Sequence, residues 1–144
     1  MSSFDSDKRE LVDDLARSRA ELVAVVEALR REDFELARRG SWTVARILEH
    51  VRHSERLYTQ LISVFSSKPV TPPETGELAD AGAALSALSA SRDAFLKAVA
   101  EVDEDDFYRL QTIGHEEYSV LSILENNAAH DREHAQQIRK TVES

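Results

Sequence analysis

The stretch KPVTPPETG, residues 68–76, holds all three of the chain's prolines. A proline lacks the N–H that a helix interior needs and clashes with the preceding turn, so no helix runs through this stretch. On both sides of it, apolar residues recur at helical spacing. Before it, Leu11, Leu15, Leu22, Val25, Val26 and Leu29 mark a first helix from about Asp5 to Arg31. Val44, Ile47, Leu48, Val51, Leu57, Leu61, Ile62 and Phe65 mark a second, which follows RRGSW and takes Thr43 as its N-cap. After it, a third helix is expected from about Leu78 to Val102 and a fourth from about Ser119 to Val142. No segment alternates with strand period for long, so the fold class is all-α, a four-helix bundle.

A chain of 144 residues fits one domain, 1–144, long enough to bury a core without disulfides or a structural metal. The absence of cysteine excludes a disulfide scaffold, a cysteine-ligated zinc site and a cysteine nucleophile, and agrees with a reducing compartment. A formal net charge of −9 argues against nucleic acid and anionic membrane as partners, since both are polyanions. No apolar run approaches the ~20 residues of a membrane span, and MSSFDSDKRE has neither the basic start nor the apolar centre of a signal peptide. The expected localisation is cytoplasmic.

The chain also repeats itself. ELVAVVEALRREDF closes the first helix and AFLKAVAEVDEDDF closes the third, both ending on an acidic run and Asp-Phe, at Asp33-Phe34 and Asp106-Phe107. WTVARILEH opens the second helix from Trp42, and YSVLSILEN opens the fourth from Tyr118. Two related helical hairpins about a pseudo-two-fold axis follow, with Phe34 and Phe107 plugging the bundle ends and Trp42 and Tyr118 stapling the helix starts ahead of N-caps at Thr43 and Ser119. His50 falls opposite Asn126, so the repeat is asymmetric where polar chemistry would lie.

Within NNAAHDREHAQQI, His130 and His134 are spaced i, i+4, which places both imidazoles on one helix face, as two ligands to one metal ion require. Ile123, Asn127 and Ile138 share that face, so it points inward. His50 lies among Ile47, Val51, Ser54 and Leu57 and is the candidate third ligand. Were the second and fourth helices parallel, His50 would sit some ~9 Å from the level of the pair; antiparallel, the three come nearly level. That demands an up-down-down-up order with the second-to-third connection travelling the bundle's length. Residues 68–76 reach at most ~30 Å when extended, against a bundle ~36 Å long, so a few unwound flanking residues close the difference.

These motifs, WTVARILEHV and HDREHAQQI above all, resemble the DinB-like superfamily of DinB/YfiT-type proteins, with the likeness extending from about Leu11 to Val142. The resemblance implies an up-down-down-up four-helix bundle and a divalent metal, zinc or nickel, held by His50, His130 and His134. Three neutral imidazoles leave a coordination position open for water or substrate. Relatives that use low-molecular-weight thiols such as bacillithiol, mycothiol or glutathione imply a thiol S-transferase, with an external thiol and a small electrophile as partners, and a homodimer is compatible with the resemblance. The alternatives are metal-dependent hydrolysis and a non-catalytic, stress-related metal- or ligand-binding bundle. A di-iron carboxylate site would need two Glu-x-x-His motifs, and the chain has none.

Further residues carry weaker expectations. His53 is a base or alternative ligand if it faces inward, and an ordinary surface histidine otherwise. Asn127 either orients water or substrate or is a buried, satisfied polar group. Glu49, Asp131 and Glu133 flank the ligands in sequence and are expected to be solvated charges, since adjacent positions point around the helix. His115 lies in the irregular QTIGHEEYS approach to the fourth helix.

Overall fold

The structure is a computed structural model that describes residues 2–66, 68, 70 and 77–143. Four long helices carry it: α1 Ser3–Glu27, α2 Val44–Phe65, α3 Ala81–Ala100 and α5 Val120–Glu143, with a single-turn helix α4 at Glu104–Phe107. Each long helix begins where a short polar side chain takes up a free backbone N–H of the first turn. Thr43 Oγ1 accepts from Arg46 N–H at 3.1 Å, Asp80 Oδ1 from Ala83 N–H at 2.8 Å, and Ser119 Oγ from Ser122 N–H at 3.1 Å. The N-caps expected at Thr43 and Ser119 are therefore present.

Helix directions follow from which ends share a core. One apolar cluster joins Leu22, Val25 and Val26 near the end of α1 with Val44, Ile47 and Leu48 at the start of α2, Ala84, Ala87 and Leu88 near the start of α3, and Ile138 near the end of α5. The other joins Ile62 and Phe65 at the end of α2, Phe95 and Val99 late in α3, and Val120, Ile123 and Leu124 at the start of α5. α1 and α5 thus run one way and α2 and α3 the other, which is the up-down-down-up order. The extended conformation expected for 68–76 falls mostly outside the described residues. Val70, within that stretch, and Leu78, just after it, sit at opposite ends, Val70 against one cluster and Leu78 within the other.

Phe34, in a 3-10 turn at Arg31–Glu35, and Phe107, in α4, are buried at opposite ends as the repeat implies. Trp42, expected to staple the start of α2, is 41% exposed and packs on a histidine of α2. The approach to α5 also differs from the irregular segment expected: strands β1 (Gln111–Ile113) and β2 (Glu116–Tyr118) form an antiparallel hairpin turning at Gly114, whose φ of +68° suits glycine, with His115 exposed beside it.

Between the two apolar clusters lies a buried ionic layer to which each long helix contributes one residue. Arg19 of α1 donates through Nε to Asp131 of α5 at 3.1 Å, through Nη2 to Glu55 of α2 at 3.0 Å, and through Nη1 to the Leu88 carbonyl of α3 at 2.9 Å. Arg92 of α3 mirrors this bond for bond: Nε to Glu55 at 2.7 Å, Nη2 to Asp131 at 2.7 Å, Nη1 to the Leu15 carbonyl of α1 at 2.9 Å. Burial alone would raise the Glu55 carboxyl, but the two guanidiniums outweigh it and hold the group below the usual carboxylate range. The mirror relation extends the sequence repeat, since Leu15-x-x-Ser18-Arg19 recurs as Leu88-x-x-Ser91-Arg92, and Glu55 recurs as Asp131.

Candidate metal centre

The antiparallel contact of α2 with α5 brings the histidines together. Ile47, Leu48 and Val51 are buried, and with them α2 turns His50 toward α5; Asn127, Ala135 and Ile138 do the same for His130 and His134. Each of the three offers one ring nitrogen, and these atoms all lie within 4.8 Å of one another. Ring centroids are 5.0 Å apart for His50 and His134, 5.2 Å for His130 and His134, and 6.1 Å for His50 and His130. Tetrahedral zinc holds its nitrogens roughly 3.4 Å apart, so small side-chain rotations close the remaining gap.

Two observations suit this cluster to a cation. His130 Nδ1 and His134 Nε2 are buried without a hydrogen-bond partner, a costly condition for a polar atom that a metal ion would relieve. His134 Nδ1 meets Gln137 Oε1 at 2.8 Å; the amide oxygen only accepts, so Nδ1 carries the proton and Nε2 keeps its lone pair. Burial lowers the pKa of both His50 and His130, the neighbouring imidazoles lower it further, and the charge of Glu133 opposes them in part. Neutral imidazoles, the form that binds metal, are favoured. A divalent ion fits the donor set.

The second ring of contacts contains residues that spacing alone did not single out. The Trp42 ring lies 4.9 Å from that of His50, with the Arg46 guanidinium 5.4 Å from the indole. The Tyr58 ring meets His130 edge-on at 5.7 Å, and Ser54 Oγ lies 3.4 Å from His50 Nε2. Tyr58 is two helical turns beyond His50 and Gln137 one turn beyond His134, so a search at i+3, i+4 and i+8 from the ligands would have found both.

The remaining candidates divide. His53 is exposed and outside the cluster, acting on His50 only through its charge, and His115 stays in the hairpin turn. Asn127 is buried and donates to Glu55 Oε2 at 2.9 Å, tying α5 to α2 one turn before His130. Asp131, expected to be a solvated charge, is fully buried between Arg19 and Arg92. The expectation fails because the charge partners come from two other helices, which the local sequence does not show. Glu49 lines a separate acidic cleft of 530 Å³ with Glu32, Glu35 and Glu77, while Glu133 is exposed.

An up-down-down-up bundle with three facing imidazoles on its second and last long helices defines a class of helical proteins whose histidine cluster is compatible with a divalent metal. Among known families, the model of the DinB superfamily matches residues 14–138, and the chain belongs to that superfamily. No curated protein matches it. No described helix is long and apolar enough to cross a membrane.

Proposed function

We propose that His50, His130 and His134 hold one divalent metal ion, zinc or nickel, and that the chain is a thiol S-transferase joining a low-molecular-weight thiol to a small electrophile. The orphaned, buried nitrogens of His130 and His134 beside a third imidazole carry the reading. A divalent ion held there supplies a Lewis acid that favours the thiolate over the thiol. Gln137 fixes the His134 tautomer, and Trp42 covers one side of His50 against solvent. The chain has no cysteine, so the sulfur comes from a free thiol. In the net reaction the sulfur bonds to the electrophilic carbon, the leaving group departs with its bonding pair, and the thiol proton passes to solvent.

Cobalt titrated into chelator-stripped protein tests the ligands. Each of His50→Ala, His130→Ala and His134→Ala should weaken binding at least tenfold while circular dichroism stays helical, whereas His115→Ala should bind as wild type does. A folded His50→Ala that binds as tightly as wild type defeats the three-histidine site. The metal-loaded protein is then assayed with thiols and electrophiles together. Triad-dependent consumption of both supports transfer, consumption of the electrophile alone supports hydrolysis, and saturable binding without turnover supports a non-catalytic bundle.

A further inference from the structure

The ionic layer locates a pseudo-two-fold axis in space, because Arg19 and Arg92 exchange while three bonds of each map onto three of the other; a fourth, from Arg19 Nη2 to Asp131 Oδ1 at 3.1 Å, has no counterpart at Glu55. The same operation exchanges α2 with α5 and, at the interval that separates Trp42 from Tyr118, carries His50 onto Asn126, His130 onto Ser54 and His134 onto Tyr58. Because α2 and α5 are antiparallel across this axis, the image of the histidine cluster lies in the same α2–α5 groove, displaced along it. The contact between Tyr58 and His130 at 5.7 Å shows that the two halves adjoin.

We infer that this second half of the groove, lined by Ser54, Tyr58 and Asn126 and bordered by Tyr118, is a subsite for an uncharged hydrogen-bond acceptor, a carbonyl or amide of the molecule that reacts beside the histidines. The inference rests on the metal reading for its reacting neighbour. Tyr58 is half-buried and its hydroxyl makes no hydrogen bond among the described residues, so it offers a donor. A phenol is a donor at neutral pH, and Glu133 and Glu116 lie close enough for their charges to act on it. Those two carboxylates also disfavour an anion at the same place. Asn126 is exposed one turn before His130, and its side-chain amide is a second donor; the absence of any cation among these three residues matches a neutral polar group.

Two matched comparisons test this. In cobalt-loaded protein, N-acetylcysteamine, 1-pentanethiol and 3-mercaptopropionate are compared through the sulfur-to-cobalt absorption. The neutral amide thiol should bind about fivefold or more tighter than either of the others, and Tyr58→Phe should erase that preference without altering cobalt affinity or the binding of 1-pentanethiol. In metal-free ¹⁵N-labelled protein, N-methylacetamide should shift the Asn126 side-chain signals while propionate leaves them in place, and Asn126→Ala, an exposed change that spares folding, should weaken the amide thiol's advantage in the cobalt experiment. Loss of cobalt binding in the wild type would strike the metal reading, leaving the amide titration to decide the subsite. An unchanged preference in Tyr58→Phe, tighter binding of 3-mercaptopropionate, or no response to N-methylacetamide overturns the subsite and leaves the metal reading standing.

Discussion

Trp42 and Phe107 are aromatic residues near helix ends, and they lead to opposite expectations. Phe107 is fully buried, edge-on to Phe4 at 5.3 Å, so Phe107→Ala should cost ~3–5 kcal/mol in equilibrium denaturation. Trp42 keeps 41% of its surface in solvent, so Trp42→Ala should cost less than ~1.5 kcal/mol and show its effect at His50 instead. Gln137 belongs to the same scale: with its amide oxygen removed in Gln137→Leu, His134 loses the partner that fixes its tautomer, and cobalt affinity should fall ~10–100-fold with helicity intact. Helical spacing alone put His130 and His134 on one face, while His50, on another helix, could be joined to them only by supposing the two helices antiparallel. The sequence concealed Asp131, whose burial depends on Arg19 and Arg92 from helices remote in sequence.

At the level of elements, four apolar stripes and a proline-bearing break were enough to read the helices, and their observed ends differ from the expected ones by a few residues. Helix ends are set by caps and by fraying more than by periodicity, and so were less legible. The β1–β2 hairpin escaped notice because three-residue strands are too short to display alternation; the Gly114 turn was the available signal. Thr43 caps the helix that carries His50, and Thr43→Ala should cost ~1 kcal/mol, read from the denaturation midpoint, with cobalt affinity unchanged. The topology itself was legible from one physical demand, that His50 come level with His130 and His134.

For the whole molecule, the ionic layer sets how stability responds to change. Removing one member, as in Arg92→Met, leaves buried carboxylates uncompensated and should cost ~3–5 kcal/mol, whereas replacing all four residues by apolar ones of similar volume should be neutral or stabilising. Glu55 is held below its unfolded pKa, so it contributes stability above that value and loses it as pH falls through the folded one. Thermal midpoints should therefore drop in the acid range below about pH 4, and Glu55→Gln should flatten that part of the profile. The repeat was visible at the ends of the helices but not at Leu15-x-x-Ser18-Arg19 and Leu88-x-x-Ser91-Arg92, whose meaning appears only when their bonds cross the bundle. The mirrored bonding has one more consequence. Two identical hairpins meeting about a true dyad would be obliged to carry the same residue at each related place, and so would display two copies of any pocket or none. Covalent joining of the halves lifts that obligation: position 50 is histidine while 126 is asparagine, and 130 and 134 are histidines while 54 and 58 are serine and tyrosine. One chain thereby acquires a groove with a distinguishable left and right, and a molecule lying in it can meet a different chemistry at each of its ends.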